Sequence, residues 1–291
     1  MGYVYTIIAT FMFSFVGTCG SLAKEWVSPE IVAFGRFFFG VIALLIYMLI
    51  AKKKIQLRFV GRWIWIGIIF KVINYIAENT ALAHGYSFGI VMSWPVQCVT
   101  ILLFSIFMLH EKITPKEIVG ALLCVIGVFV ISWNGKSVAE LMDNPAAVLY
   151  NLLYVVAGVC AAAFTTAQKK LTKDMDSCNL NLSMFIGASV LLGATLPFTG
   201  SFTGEFKITA LIGLMGLGVI TGIAFLLVTE AMKTVPLFLA TIIQSMNVLL
   251  ALVWSVLIFD DPVTVYIVVG TVIFLIGMIL VNLKKKEKAK G

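Results

Sequence analysis

An ammonium and a carboxylate stand seven residues apart in the apolar run 62–84. Residues three and four apart share one face of a helix, so Lys71, Asn74, Tyr75 and Glu78 form a single polar stripe. A charged side chain at the centre of a bilayer costs about 2.5–3.5 kcal/mol on insertion scales. If this run crosses a membrane, the stripe must therefore face protein or water.

Two interpretations of Glu78 remain open at this point. Glu78 can be a buried counter-ion for Lys71, or for Arg36 on the preceding apolar run. It can instead line a cavity, where a carboxylate takes up a proton or holds a substrate amine. We interpret Arg36 as a structural residue that anchors its helix through carbonyl groups or Glu78.

Polar and aromatic side chains near the middle of two other apolar runs are further candidates. Gln97 and Asn247 lie close to the midpoints of their runs, and Gln244 is one turn before Asn247. Such amides either join helices, at about 0.6 kcal/mol each, or bind the polar groups of a substrate. Pro95 removes a backbone donor and predicts a kink, beside which Trp94 offers an aromatic face to a cation or an apolar group.

The composition indicates a membrane protein. Of the 291 residues, 61% are hydrophobic and 12% are charged, and the mean hydropathy is +1.06. A helix needs about 20 apolar residues to cross a bilayer. The apolar runs predict ten such helices, at 4–22, 29–51, 62–84, 87–109, 115–133, 147–168, 180–200, 208–230, 236–259 and 262–283.

The basic residues set the expected orientation of these helices. With the N-terminus in the cytoplasm, sixteen of the 21 Lys and Arg residues fall in cytoplasmic loops and the tail, three fall in outer loops, and Arg36 and Lys71 lie inside helices. This bias follows the positive-inside rule. We therefore expect both termini in the cytoplasm and a bacterial plasma membrane, and we attribute the net charge of +7 to membrane orientation, with no nucleic-acid partner.

Several classes of site have no support in the sequence. The five cysteines are scattered and lack CxxC spacing, so we expect neither a disulfide framework nor a metal site. No HExxH, DDxxD or P-loop pattern occurs, so we expect no enzyme, no cofactor and no direct use of ATP. Membrane lipids and a small-molecule substrate are the expected partners, whereas the oligomeric state stays open.

The chain also repeats itself at an offset of 150 residues. Gly120 and Gly127 match Gly270 and Gly277, and the runs that contain them share one pattern. The predicted units are 1–134, 146–283 and a basic tail at 284–291. Because each unit holds five helices, an odd number, the second unit must enter the membrane in the opposite orientation. Inverted repeats of this kind are the architecture of many secondary transporters.

Two acidic residues mark equivalent positions in the two repeats. Glu111 matches Asp261, and each precedes the last predicted helix of its repeat. Acids at a helix start are stabilised by the positive end of the helix dipole. We therefore expect structural or gating roles for Glu111 and Asp261.

Three motifs carry a resemblance to a known family. They are "SPEIVAFGRFFFGVIAL", Pro95 within its helix, and "HEKITPKEIVGALLCVIGVFVI", which is repeated at 261–280. From about residue 4 to 283 the chain resembles the EamA-type members of the ten-helix drug/metabolite transporter superfamily. The resemblance implies an all-α integral membrane protein with ten transmembrane helices as two inverted five-helix repeats around a cavity. One departure is Asp260-Asp261, where such proteins more often have a single glutamate.

The expected function is secondary active transport by alternating access. The resemblance leaves the substrate open among amino acids, nucleosides, amines and other small metabolites. A carboxylate, amides and aromatic rings suit an ammonium group, which favours amino acids or amine-bearing compounds, with Glu78 as a site of proton coupling. A carrier of anionic metabolites such as sugar nucleotides or phosphates, with Lys71 and Arg36 as ligands, is the alternative. A channel or lipid scramblase would use the same helices without a protonatable residue.

Overall fold

The computed structural model describes residues 1–84, 90–133, 135, 145–247, 249–250, 253–254, 257 and 264–282, and these residues fold into helices with short connections. Asp261 and the tail at 284–291 lie outside the described residues. The helices are α1 Gly2–Ser14, α2 Val16–Lys24, α3 Pro29–Ile50, α4 Arg62–His84, α5 Ile90–Phe107, α6 Pro115–Trp133, α7 Pro145–Leu171, α8 Ser177–Thr199, α9 Ile208–Ala231, α10 Leu237–Gln244 and α11 Val265–Asn282.

Within the described ranges, five segments are long and apolar enough to cross a membrane. They are Gly2–Lys24, Pro29–Ile50, Leu152–Leu171, Ser177–Thr199 and Ile208–Ala231, and shorter apolar helices occur at Val96–Phe107 and Val265–Leu280. Most of the predicted limits agree with the helices within a few residues. Many side chains on the outer surface of the bundle are large and apolar, as expected where lipid replaces water.

Where the structure describes the predicted spans, it shows interruptions in two of them. The first breaks at Phe15, between α1 and α2. The ring of Phe15 stacks on Trp254 with 4.7 Å between centroids, and the Trp254 indole donates a hydrogen bond of 2.8 Å to the Ser14 hydroxyl. The ninth span breaks at residues 245–246, after α10, and is helical again at 247. Discontinuous helices of this kind form the binding sites of many transporters.

The predicted kink at Pro95 does not interrupt its helix, because α5 runs without a break from Ile90 to Phe107. At the matching point of the second repeat, 150 residues later, Ser245 lies in the break after α10. The two related helices therefore differ at the level of the cavity described below. A continuous helix can still bend at a proline, so the kink at Pro95 stays a prediction.

The last helices of the two halves, α6 and α11, cross at glycines. A Cβ on Gly127 would lie 2.7 Å from the carbonyl oxygen of Gly270, and one on Gly277 would lie 2.5 Å from that of Gly120. Between these points the Cys124 thiol is 3.6 Å from the carbonyl of Phe274, its own repeat mate. As residue numbers rise along α6, the numbers of their partners fall along α11. The helices are therefore antiparallel, as an inverted repeat requires.

Glu111 makes its contacts with a different helix from the one expected. Its carboxylate accepts hydrogen bonds from the backbone N–H groups of Leu237, at 2.8 Å, and Phe238, at 3.4 Å, at the N-terminus of α10. The start of α6 is capped instead by Glu117, which accepts from the N–H and hydroxyl of Thr114 at 2.7 Å each. The prediction that Glu111 stabilises the start of its own helix was wrong, because α6 begins only at Pro115.

Lysines extend this contact at the same end of the bundle. Lys170 of α7 donates to the carbonyl of Met108, at 2.7 Å, just beyond α5. Lys169 donates to the carbonyls of Met232 and Val235, the second at 3.0 Å, which lie beyond the end of α9. The Lys170 bond and the Glu111 bonds join the two halves at this end of the bundle, whereas the Lys169 bonds tie α7 to the end of α9 within the second half.

The opposite end is held by paired backbone. The N–H of Ser28 donates to the carbonyl of Ser201 at 2.9 Å, and Val27 forms a β-bridge with Phe202. Lys207 and Glu25 form an exposed salt bridge of 2.9 Å beside it. Exposed pairs of this kind contribute little stability, so the backbone bonds carry most of this connection.

We expect Glu111→Ala to lower the free energy of unfolding by about 1.5–3 kcal/mol, the range for hydrogen bonds to a charged group. The variant removes both bonds to α10 and leaves two N–H groups without that partner. Thermal unfolding of the purified protein in detergent measures the change. Glu205→Gln is the matched control, since Glu205 is exposed in the 200–207 connection. Equal stability of Glu111→Ala and wild type would contradict the assigned role.

Candidate substrate cavity

A cavity of about 220 Å³ lies between the two halves of the chain. Its walls come from α1 to α5 on one side and from α7, α9, α10 and residue 247 on the other. The volume is below the roughly 300–1,000 Å³ of drug-sized pockets, so it suits a small metabolite. The wall contains both polar and apolar side chains, as sites for small polar molecules do.

The sequence-predicted site residues meet at this cavity. All eight candidates for substrate binding or coupling line it, and so does Arg36: Lys71, Asn74, Tyr75, Glu78, Trp94, Gln97, Gln244, Asn247 and Arg36. Glu111 lies away from it, at the N-terminus of α10. Pro95 belongs to α5 beside Trp94, and Asp261 is outside the described residues. The structure thus brings the eight candidates and Arg36 together at one cavity, whereas the role of each residue in binding stays a prediction.

Lys71 is held in a cage of three aromatic rings. Its ammonium nitrogen lies 4.9 Å from the ring centroid of Tyr75, 4.6 Å from that of Phe164 and 5.0 Å from that of Phe225. Each distance is within the about 6 Å over which a ring face attracts a cation. Lys71 is 7% exposed, so the rings replace most of the water that a surface lysine would have.

Arg36 reaches the same wall from α3. Its Nε donates a hydrogen bond of 2.7 Å to the hydroxyl of Thr221 on α9, and its guanidinium lies 5.4 Å from the centroid of the Tyr75 ring. The expected anchors, carbonyl groups or Glu78, are therefore replaced by a hydroxyl and a ring. Thr221 is the repeat mate of Lys71, so Arg36 contacts the second half where Lys71 would lie by symmetry.

Glu78 brings a carboxyl group to the cavity and forms no ion pair among the described residues. It is partly exposed and lines the cavity together with Arg36 and Lys71. The salt bridges between described residues, Lys53–Asp176, Lys207–Glu25 and Lys233–Glu230, involve neither Glu78 nor the two cavity cations. The contact geometry thus favours a cavity-lining role for Glu78 over that of a paired counter-ion.

The amides of the wall have different surroundings. Asn74 donates to the carbonyl of Ala157 at 2.9 Å and so joins α4 to α7, while Gln244 donates to Ala240 of its own helix at 3.2 Å. The side-chain oxygen of Asn247 is buried and has no hydrogen-bond partner among the described residues. A buried acceptor without a donor is costly, and a ligand donor at this wall would satisfy it.

Phe164 and Phe225 are the important wall residues that sequence reasoning missed. They sit edge to face with 5.5 Å between centroids, and Phe225 also meets Phe13 at 5.1 Å, edge to face. Among the 22 phenylalanines of this chain, nothing in type or spacing marks these two. Only the docking of α7 and α9 against Lys71 shows their position.

The cavity therefore combines two cations, one carboxylate, amides and aromatic faces. The cations and N–H donors can hold an anionic group, and the carboxylate and ring faces can hold an ammonium group. Within the described residues no group of His, Cys, Asp and Glu side chains could hold a metal ion. The wall thus presents charged groups of both signs, amides and aromatic faces to the cavity.

Known proteins resemble the chain over nearly its whole length. A protein described as an uncharacterized transporter from Clostridium kluyveri is 25% identical over 99% of this chain and 94% of its own. Another so described, from Archaeoglobus fulgidus, is 24% identical over 90% of this chain and 91% of its own. A solved crystal structure superposes with a TM-score of 0.85 at 16% identity, covering 97% of this chain and 98% of the other.

The family comparison agrees with the two halves described above. The model of the EamA-like transporter family matches residues 1–133 and again residues 148–283. Three findings confirm the predicted architecture of two inverted five-helix repeats. They are the double match, the antiparallel crossing of α6 and α11, and the ten-helix membrane fold of the family. The chain is a multi-pass membrane transporter and belongs to the EamA-like transporter family.

Proposed function

We propose that the protein is a secondary transporter that moves small amine-bearing metabolites, amino acids above all, by alternating access. The observation that carries the proposal is one cavity between the repeats in which Glu78 forms no salt bridge with Arg36 or Lys71. A zwitterion presents an ammonium group and a carboxylate together. Both charges of such a substrate find counter-charges at this wall.

The charge balance of the cavity supports a zwitterion over a simple amine. Arg36 and Lys71 against Glu78 leave a net charge of +1 on the wall when all three are ionised. A simple amine would add a second uncompensated positive charge, which is costly in a low dielectric. An amino acid leaves the balance unchanged and pairs each of its own charges.

Glu78 also supplies a way to couple transport to protons. A carboxylate that is not committed to an ion pair can exchange a proton when the cavity opens to water. Substrate and proton would then compete for the same negative charge as the repeats alternate. This coupling is proposed from the position of Glu78 in the cavity that Arg36 and Lys71 also line.

The net positive wall also favours a second candidate, transport of anionic metabolites with Lys71 and Arg36 as ligands. A monoanion would neutralise the net charge of the cavity. Glu78 would then be repelled by the substrate. The two candidates differ in whether an amine is required.

The proposed membrane and orientation rest on the basic residues. Their concentration in one set of loops supports a plasma membrane protein with both termini in the cytoplasm. Cysteine labelling of the two termini from either side of intact cells would test this placement.

Reconstituted liposomes test the proposed function. The purified protein would be offered amino acids, amines, sugar nucleotides and phosphates, with a pH-sensitive dye inside and protein-free liposomes as the control. We expect saturable uptake of amino acids with substrate-dependent proton movement. Uptake of anions alone would favour the second candidate. Substrate-independent ion current or lipid exchange, without saturable uptake, would contradict both and indicate a channel or a scramblase.

A further inference from the structure

The Lys71 cage joins the two repeats. Lys71 and Tyr75 belong to α4 of the first half, whereas Phe164 of α7 and Phe225 of α9 belong to the second. All four residues line the cavity, so a bound molecule can reach both the ammonium and the rings. The cage is thus part of the site and part of the contact between the halves.

The ammonium of Lys71 has three aromatic rings around it. Within the described residues no carboxylate lies in salt-bridge distance of its nitrogen and no acceptor forms a hydrogen bond with it. Its three N–H donors are therefore available to an anionic group that enters the cavity. Ring faces attract a cation but do not accept three directed hydrogen bonds as carboxylate oxygens do.

We propose that Lys71 is the specificity-determining residue that makes a carboxylate on the substrate obligatory. The ammonium rests in the ring cage and leaves it to bind the carboxylate of an entering amino acid. This inference rests on the proposed function, because it assigns one part of that substrate to one side chain. Arg36 is tied to Thr221 through its Nε and holds α3 to α9, whereas Lys71 makes no hydrogen bond to a described residue and can move toward a substrate.

The cavity distinguishes an amino acid from its two fragments by whether each compound offers Lys71 a carboxylate and Glu78 an ammonium group. An amino acid gives the displaced ammonium a carboxylate and brings its own ammonium to Glu78. The matching amine, which lacks the carboxylate, adds positive charge and leaves Lys71 unpaired. The matching acid, which lacks the amine, pairs with Lys71 but places a second negative charge near Glu78. The cavity therefore prefers the zwitterion to the amine.

The test compares leucine with isoamylamine, which lacks the carboxylate, and isocaproate, which lacks the amine, in liposomes containing wild type or Lys71→Met. We expect the kcat/KM of wild type to be at least about ten-fold higher for leucine than for isoamylamine. In Lys71→Met this ratio should fall by at least about ten-fold, because one charge-assisted pair with the substrate carboxylate is lost. Lys173→Met, a change at an exposed lysine in the 172–176 turn, is the matched control and should keep the preference.

A second variant tests the cage itself. Phe164→Leu removes one ring face from the resting ammonium but leaves Lys71 able to bind a carboxylate. The remaining rings should then hold the ammonium less strongly, so that Lys71 leaves them more easily to bind the carboxylate of leucine. We therefore expect the KM for leucine to fall while the preference over isoamylamine persists. A raised KM with lost preference would show that the rings bind substrate directly and would overturn the resting role of Lys71.

The outcomes separate this inference from the proposed function. If wild type moves none of the three compounds, both are overturned. If wild type moves leucine and Lys71→Met keeps the full preference, only the role of Lys71 is overturned. If Lys71→Met is folded, as size-exclusion chromatography shows, and accepts isoamylamine as well as leucine, the inference is supported.

Discussion

Glu78→Gln is expected to abolish substrate-dependent proton movement, bringing the dye signal down to that of protein-free liposomes. Glutamine keeps the size of the side chain and still forms hydrogen bonds, but it cannot exchange a proton. Because Glu78 is in no salt bridge with Arg36 or Lys71, the substitution leaves neither cation without a contacting partner. The variant should therefore fold as wild type does.

The measurement is the internal pH of liposomes after addition of leucine, recorded together with uptake of labelled leucine. Glu30→Gln is the matched control, because Glu30 lies in the first turn of α3 and is not among the residues of the cavity wall. If Glu78→Gln moves substrate and protons as wild type does, Glu78 has no part in coupling. The coupling site must then be sought around Gln97 and Asn247.

Gly127→Ala and Gly277→Ala are expected to destabilise the bundle strongly. Each new methyl group would lie 2.5–2.8 Å from backbone atoms of the facing helix, and backbone cannot rotate away as a side chain does. Overpacking of this kind costs about 1–3 kcal/mol per site and occasionally more. Because α6 and α11 meet at both glycines, the double variant should fail to assemble as a monodisperse protein.

Gly17→Ala is the control of opposite expected sign. A Cβ at Gly17 would have nothing within 4 Å, and alanine favours a helix over glycine by about 1 kcal/mol. Thermal unfolding in detergent should therefore show a loss for the two crossing variants and no loss for Gly17→Ala. Unchanged stability of Gly127→Ala would contradict the close antiparallel crossing.

Helical spacing made the cavity residues predictable from the sequence. One face of α4 carries Lys71, Asn74, Tyr75 and Glu78. Because a charged side chain is costly in lipid, this face must point at protein or water. The offset of 150 residues added Gln97 and Asn247 at matching depths. These inferences need only the helical periodicity and the internal repeat, and both can be read directly from the sequence.

Contacts between distant segments could not be predicted in the same way. The bond from Arg36 to Thr221 spans 185 residues, and the one from Glu111 to Leu237 spans 126. Phe164 and Phe225 differ in no visible way from other apolar residues, so their cage around Lys71 appears only once α7 and α9 are packed. The helix break at Phe15 could not be predicted either, because no proline or glycine stands at that residue.

Alternating access requires that the cavity between the repeats opens in turn to both sides of the membrane. In a protein whose five cysteines are replaced by alanine, Gln97→Cys and Asn247→Cys place one thiol on each half of the wall. A membrane-impermeant thiol reagent would be applied to either side of oriented vesicles, with and without leucine. We predict labelling of both positions from both sides and protection by leucine. Labelling from one side only, or labelling that no transported compound reduces, would contradict alternating access at this cavity.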